Sequence, residues 1–287
     1  MLQAVIIYLK NKTSFTRNHP LIISLTQNSI LLIPITETAP ELNKLTSIIK
    51  KASLTPRNCL LITDSIEMSL ISKALDITCI GLQASSSETF FTGADLVVDS
   101  MDGLNFECIV EEYNHAHNIP TTIATTDRLL LRELTVADTY AMYQLYADND
   151  YVQFLPPLDT IEVELEKQRA YIAHVYNLYR FGLWGVFLKK SEQLIGRCGL
   201  QCTELGETTE VELAYLIDSA YSRKGYGYEA TSRILQYAKE QLYLNSVIVR
   251  IHKDNLPSLQ LAKKLGFHFE TPLEKSNELI YRIDFNN

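Results

Sequence analysis

The chain has 287 residues, 46% of them hydrophobic and 21% charged, a composition that supports packed cores and excludes general disorder. Lys and Arg number 26 against 34 Asp and Glu, a net charge of −8, and residues 1–120 (8 basic, 12 acidic) are no more a charged tail than residues 121–287 (18 and 22). An acidic chain without a basic block binds phosphate backbones poorly, which excludes nucleic acid as a general partner.

The first apolar run, Ala4 to Leu9, follows no basic segment and is too short for a signal core or a membrane span, so no membrane partner is expected. With Ile30–Ile35, Cys59–Thr63, Thr78–Leu82 and Leu96–Val98 it reads as a set of strands. Between them Glu41–Ala52 and Ile66–Leu75 have helical spacing, and Leu104–His117 reads as a closing helix. Short strands alternating with helices predict an α/β, Rossmann-like parallel sheet. Pro120, Thr121 and Thr122 form a polar hinge, which sets two domains, 1–120 and 121–287.

The second half opens with a strand, Arg128–Leu134, and a helix with Tyr140, Tyr143 and Leu145 on its apolar side. Asp159 and Glu162 have capping-box spacing for a helix running to about Tyr179. Trp184–Lys189 and Gln193–Gln201 read as strands joined by a turn, and Glu210–Ile217 as a third. A helix over Tyr226–Leu242, a strand over Val247–His252 and a helix from Leu256 to Leu265 follow. Gly266 stops that last helix, as the residue type that tolerates a left-handed cap, and Tyr281–Phe285 is the final strand.

The five cysteines, Cys59, Cys79, Cys108, Cys198 and Cys202, are odd in number and lack ligand clustering, so no metal is expected. Scattered thiols fit a reducing, cytoplasmic compartment. His174, His252 and His268 have no partners at ligand spacing and read as structural; Tyr171, Tyr176, Tyr179 and Phe181 have helical spacing and read as core.

The most informative stretch joins Glu210-Val211-Glu212-Leu213-Ala214-Tyr215-Leu216-Ile217 through Asp218–Ser222 to Arg223-Lys224-Gly225-Tyr226-Gly227-Tyr228-Glu229-Ala230. Glycines let a backbone approach a ligand, and the helix start offers unpaired N–H groups at its positive end, which suits a pyrophosphate. A bare tight turn with two solvated cations is the alternative. This segment is similar to the coenzyme A motif of the GNAT acetyltransferases, and the resemblance runs from about Thr126 to Phe285. Arg128-Leu129-Leu130-Leu131-Arg132, Trp184-Gly185-Val186, Leu194–Leu200, Asn255-Leu256-Pro257-Ser258 and Lys264-Leu265-Gly266-Phe267 also carry it. The branch it most resembles is that of the ribosomal-protein N-terminal acetyltransferases.

The resemblance implies an α+β domain whose mixed, mostly antiparallel sheet is split by a bulge on the Glu212 strand. Acetyl-CoA would bond through its pantetheine arm to backbone at Tyr215, Leu216 and Ile217, and through its pyrophosphate to N–H groups from Arg223, Lys224 and Gly225 to Tyr226, Gly227 and Tyr228. Ser222 departs from the family's Gln or Arg, leaving Arg223 and Lys224 to supply charge. Acetyl transfer requires a deprotonated amine, a donor for the oxyanion and a proton for the departing thiolate. Glu212, on one face with Ala214 and Leu216, is the candidate base through an ordered water, with Glu210 as substitute and a plain edge carboxylate as alternative. The oxyanion donor would be the backbone N–H beside the bulge. Asn255 would touch pantetheine or merely cap its helix. Ser258 inherits the acid role because Ala262 stands where many relatives have Tyr, with Tyr215 or a water as alternatives. Tyr151, Phe154, Pro156 and Pro157 fall where the family admits its acceptor.

In the first half, Thr55–Ser65 (Pro-Arg-Asn-Cys-Leu-Leu-Ile-Thr-Asp within it), Ala74–Ile77, Ile80–Leu82 and Gly93–Ser100 resemble the last third of haloacid dehalogenase (HAD)-type phosphatases, over most of residues 40–115. Tyr8 and Lys10 stand where that family needs two carboxylates, the Lys expected just before Pro40 is missing, and Asp64 alone cannot hold a divalent ion well. This half therefore reads as a non-catalytic, HAD-like remnant without a cap, kept for binding, for docking a protein partner or for homodimerisation. The whole chain reads as an N-acetyltransferase moving acetyl directly from acetyl-CoA to a primary amine, on a protein N-terminus or a small molecule. The alternative is a non-catalytic acyl-CoA sensor or scaffold.

Overall fold

The structure, a computed structural model, describes residues 1–10, 19–36, 42–83, 91–147, 150–176, 179, 181–273 and 276–285, without the side chains of 150 and 151. The chain forms two compact units, Met1–Ile119 and Pro120–Asn287.

In the first unit five strands, β1 (Ala4–Tyr8), β2 (Leu31–Ile35), β3 (Cys59–Thr63), β4 (Thr78–Leu82) and β5 (Leu96–Val98), form a parallel sheet in the order β2-β1-β3-β4-β5. Strands β1 and β3 are buried at every residue, as their unbroken apolar runs require of strands covered on both faces. On one face Val5, Ile7, Leu60 and Ile62 meet Leu21 and Leu25 of α1 (Pro20–Gln27) and Ile109 and Tyr113 of α4 (Phe106–Ala116). On the other, Ala4, Ile6 and Leu61 meet Leu45 and Ile49 of α2 (Leu42–Lys51) and Met68 of α3 (Ile66–Ala74). Helix α1 was not among the expected elements. His19 caps it by accepting from Leu21 N at 3.3 Å, and Pro20 occupies its first turn, where a missing N–H is harmless.

At the C-terminal end of this sheet the Lys10 N–H donates to Asp64 Oδ1 at 2.6 Å and Lys10 Nζ to Glu67 Oε2 at 2.8 Å. The Lys10 bond, with help from Ser65, pulls the Glu67 carboxyl down to about 2. Pro40 lies outside the described residues.

The second unit holds β6 (Thr122–Thr125), β7 (Leu129–Arg132), α5 (Asp138–Ala147), α6 (Ile161–Tyr171), β8 (Leu183–Leu188), β9 (Leu194–Leu205), β10 (Thr208–Ile217), α7 (Tyr226–Glu240), β11 (Ser246–His252), α8 (Leu256–Lys264), β12 (His268–Pro272) and β13 (Glu278–Asp284). The sheet order is β12-β13-β11-β10-β9-β8-β7-β6, antiparallel except between β10 and β11. One face packs Leu131, Trp184, Val186, Leu200 and Leu213 against Ala230 and Ile234 of α7 and Ala262 of α8. The other packs Phe187 and Leu216 against Met142, Leu145 and Tyr146 of α5.

Several local expectations are corrected. Thr122 opens β6 and is no hinge residue, because Thr122–Thr125 pairs antiparallel with β7. Met142, Leu145 and Tyr146 form the apolar side of α5, whereas Tyr140 is 57% exposed. Thr160, not Asp159, is the cap of α6; Asp159 N donates to Glu164 Oε1, and the helix passes into a π turn at Ile172–Tyr176. In the aromatic group Tyr176 is buried and Tyr171 half-buried against the core, but Tyr179 is exposed. The expected final strand begins earlier, at Glu278, and pairs with the unforeseen β12. The register of β10 on β9 runs without a shift from Thr208 to Ile217, so no bulge appears there. The split arises on the other edge, where β10 and β11 pair only at Glu212–Ile248.

Gly199 of β9 admits no side chain, because a Cβ would stand 2.0 Å from the Gly182 carbonyl oxygen. Gly199→Ala should cost the second unit roughly 3 kcal/mol, the upper end of the overpacking range. The single tryptophan, Trp184, is fully buried in this unit, so denaturant unfolding followed by its fluorescence isolates the effect. An unchanged midpoint would refute the clash.

Candidate active site

Beyond Glu212 no ladder pair joins β10 to β11, so the edge of β10 leading to Tyr215 and Leu216 faces the opening with peptide groups of its own. Helix α7 begins on the β10 side of this opening. Gly225 at its cap has φ +84, the left-handed region, and no side chain caps the helix. The first N–H groups, at Tyr226, Gly227 and Tyr228, therefore lack intrahelical acceptors and point outward, as an anion site requires. Gly227 lies beside Ile217 and Leu261, a Cβ there meeting them at 3.8 and 3.5 Å. The strand end, α7 and α8 thus converge on one place.

Helix α8 contributes its start. Asn255 Oδ1 accepts from Ser258 N at 3.2 Å, an N-cap bond that leaves its Nδ2 without a partner among the described residues. Tyr215 O–H donates to the Ser258 carbonyl at 3.3 Å, tying β10 to α8. Burial pushes the Tyr215 phenol up to about 12, against the opposing pull of the Ser258 side-chain hydroxyl, so it keeps its proton at neutral pH. Ala262, one turn on, belongs to the core and offers no place for a tyrosine.

Glu212 lies on the opposite face of β10 from Tyr215, because alternate residues of a strand point to opposite sides. It is buried, and its Oε2 accepts from Arg250 Nη2 at 2.9 Å, Arg250 Nε at 3.1 Å and Gln201 Nε2 at 3.2 Å. Its Oε1 receives no bond from the described residues. Glu210 has both oxygens engaged by Arg282, each at 3.1 Å, and is the poorer substitute.

The loop cations divide. Lys224 Nζ turns back to the Ala220 carbonyl at 2.9 Å, while exposed Arg223 has no partner among the described residues. Sequence reasoning passed over the clamp beneath this loop. Arg128 Nη1 donates to the Lys224 carbonyl at 3.0 Å, its Nη2 pairs with Glu229 Oε2 at 2.6 Å, and its guanidinium stands over the Tyr226 ring at 4.2 Å. Thr126 Oγ1 holds the other Glu229 oxygen. Arg250 and Gln201, which hold Glu212, were likewise missed. These partners lie far apart in the chain, and no local pattern marks them. Phe154 packs on His252 and the Tyr151 side chain lies outside the described residues. Cys198 is fully buried and burial pushes its thiol far up, whereas Cys202 is exposed; among the described residues no group of three His, Cys, Asp or Glu could hold a metal.

A split sheet with an uncapped, glycine-led helix start beside the split is the architecture of acetyl-CoA-dependent acyl transfer, and the chain's relatives agree. The sequence profile of the Acetyltransferase (GNAT) domain matches residues 128–268. The second unit is a GNAT-family acetyltransferase domain, and the protein is a GNAT-family acetyltransferase. It is 29% identical over 160 residues to an uncharacterized N-acetyltransferase of Bacillus subtilis, YnaD, covering 54% of this chain and 89% of that protein. It is 23% identical over 165 residues to the ribosomal protein uS5-alanine N-acetyltransferase of Escherichia coli, covering 55% and 84%. A putative ribosomal-protein-serine acetyltransferase structure from Vibrio cholerae shares the fold, with TM-score 0.50, 21% identity, and coverage of 57% and 98%.

Arg128→Met removes the clamp without touching the edge of β10. Acetyl-CoA affinity, measured by calorimetry, should fall about tenfold, the worth of one charge-assisted hydrogen bond. Unaltered affinity would show that the loop orders itself.

Proposed function

We propose that the protein moves an acetyl group directly from acetyl-CoA to a primary amine, with Glu212 and the Tyr215–Ser258 pair acting from opposite faces of β10. That opposition, across a strand edge freed by the single Glu212–Ile248 pair, is the observation that carries the reading. Acetyl-CoA supplies an activated acyl group; the chain supplies position and protons. The β10 edge near Tyr215 and Leu216, with Asn255 Nδ2, would hold the pantetheine amides, and the N–H groups at Tyr226, Gly227 and Tyr228, with Arg223, the pyrophosphate. Ile217 continues that edge, and Gly225 gives the backbone its close approach. Lys224 would have to leave the Ala220 carbonyl to join them.

Glu212 is fit for base work through a water on Oε1, since Arg250 and Gln201 fix the carboxylate through Oε2 alone. An ammonium has no lone pair to attack with, so removing that proton is the first requirement of the reaction. Tyr215 keeps its proton at neutral pH and donates a hydrogen bond to the Ser258 carbonyl, and the Ser258 hydroxyl also acts on the phenol. Either hydroxyl can face a departing thiolate, and Tyr215 is the stronger acid by chemistry. The buried Cys198, with its raised pKa, is unsuited to carrying an acyl group, which favours direct transfer. The first unit, with Lys10 bonded to Asp64 and Glu67 where phosphoryl transfer needs free carboxylates, is read as a non-catalytic binding or docking module.

Calorimetric titration with acetyl-CoA, followed by free-thiol release over a panel of amines, tests the reading. Micromolar binding with thiol release on some amine is expected. Glu212→Gln should lower kcat by about 100-fold, the low end for a general base, with acetyl-CoA affinity unchanged. Loss of affinity together with turnover would remove Glu212 from the base role. Binding without turnover on any amine would instead favour an acyl-CoA sensor.

A further inference from the structure

A cavity of about 220 Å³ opens on the Glu212 face of the sheet, between α5, α6 and β9. At ~30 Å³ per water it holds about seven waters, the scale of a single small polar molecule and not of a folded segment. Three charged side chains line it: Glu164, Lys167 and Arg197. Two of them satisfy each other, Lys167 Nζ donating to Glu164 Oε1 at 2.7 Å and to Asp159 at 2.6 Å, while Glu164 also accepts from Asp159 N. Arg197 is different. It is half-buried, has no acceptor among the described residues, and stands only over the Tyr146 ring at 5.4 Å. Burial pushes the Tyr146 and Tyr171 phenols up, and the Arg197 charge opposes the shift at both, which places the guanidinium within electrostatic reach of two cavity walls.

The second observation is Thr139, another lining residue. It is 8% exposed, and its Oγ1 is buried without a hydrogen-bond partner among the described residues. The buried hydroxyl left without a partner is costly unless a ligand completes it, and the half-buried Arg197 guanidinium in the same cavity supplies a charge for that ligand. The group that accepts from both is an anion with oxygens in a plane, a carboxylate, which the guanidinium fork matches in two parallel bonds.

Register connects this cavity to the reaction. Along β9 and β10 the pairs Arg197–Leu216, Gly199–Ala214 and Gln201–Glu212 follow one another on a single face. Arg197 and the Gln201 that bonds Glu212 are thus about 13 Å apart at ~3.3 Å per residue, and the long arginine side chain shortens the gap. Ala214 between them presents only a methyl group.

From Arg197 and Thr139, both without a hydrogen-bond partner among the described residues, we infer that the acceptor amine carries a carboxylate, and that the substrate is a free amino acid or a molecule of that size. Arg197 and Thr139 bind the carboxylate and leave the amine directed toward Glu212. This assignment rests on the transferase reading and deepens it.

The test pairs free amino acids with their carboxamides, both offered to the acetyl-CoA-loaded protein with thiol release as the readout. The expected kcat/KM preference for acids is about 10- to 100-fold, one charge-assisted pair, and Arg197→Met should collapse it toward unity. Arg197→Lys, which keeps the charge without the fork, should recover part of it. Thr139→Val, isosteric with a buried hydroxyl removed, should raise KM for the acids more than it changes kcat. Calorimetry of amino acids with the coenzyme A-loaded protein gives a readout independent of turnover, and binding lost in Arg197→Met supports the assignment even where chemistry is slow. Equal turnover of acids and amides, or acetylation confined to peptide N-termini, would overturn it. So would amino acids that fail to bind the loaded protein. Acetyl-CoA binding with no thiol release from any amine would sink the transferase reading, and the calorimetric arm would still decide the carboxylate site.

Discussion

Glu212 faces Ile248 at the one position where β10 and β11 run as a ladder, and the second unit is organised around that solitary pair. Two parallel strands that touch once and then part leave an edge of peptide groups with no partner in the sheet. Such groups are costly if buried dry, so the opening has to take water or a ligand with amides of its own. Strand β10 remains in register with β9 along its whole length, which keeps that edge rigid while it stays unpaired. The starts of α7 and α8 are drawn to the same opening, and Tyr215 locks one of them in place through the Ser258 carbonyl.

Electrostatics follows from this geometry. Two glutamates two residues apart on one strand face would repel, yet each is held by its own arginine, Arg250 for Glu212 and Arg282 for Glu210. The difference between them is how many oxygens the arginine occupies: both at Glu210, one at Glu212. Removing Arg250 would leave a buried carboxylate without its cation, so the pair maintains the fold and the readiness of Glu212 together. Arg197, four residues from Gln201 along β9, has no such partner among the described residues although the protein is acidic overall.

The first unit shows the same logic in another architecture. Its sheet is parallel and covered on both faces, so β1 and β3 are apolar throughout and polar groups collect at the strand ends. There Lys10 bonds to both Asp64 and Glu67, which ties the ends of β1 and β3 to the start of α3.

The sequence by itself determined what depends on near neighbours. Uninterrupted apolar runs set β1, β3 and β4, alternation placed Glu212 and Tyr215 on opposite faces, and Gly225 and Gly227 marked a helix start open to an anion. It also placed Asn255 as a cap, since an Asn three residues before Ser258 bonds locally. Where neighbours mislead, the sequence misled: a strand at Thr122 read as a hinge, and Asp159 with Glu162 imitated a capping box at a helix whose N-cap position is Thr160. Only tertiary structure decided the split of the sheet, the grip of Arg250 on Glu212, the Arg128 clamp on Glu229 and the place of Arg197 beside the α5–α6 cavity. These are contacts between residues that the register of distant strands brings together. The pattern along a chain encodes which face a residue takes, and it carries no information about what waits on the other side.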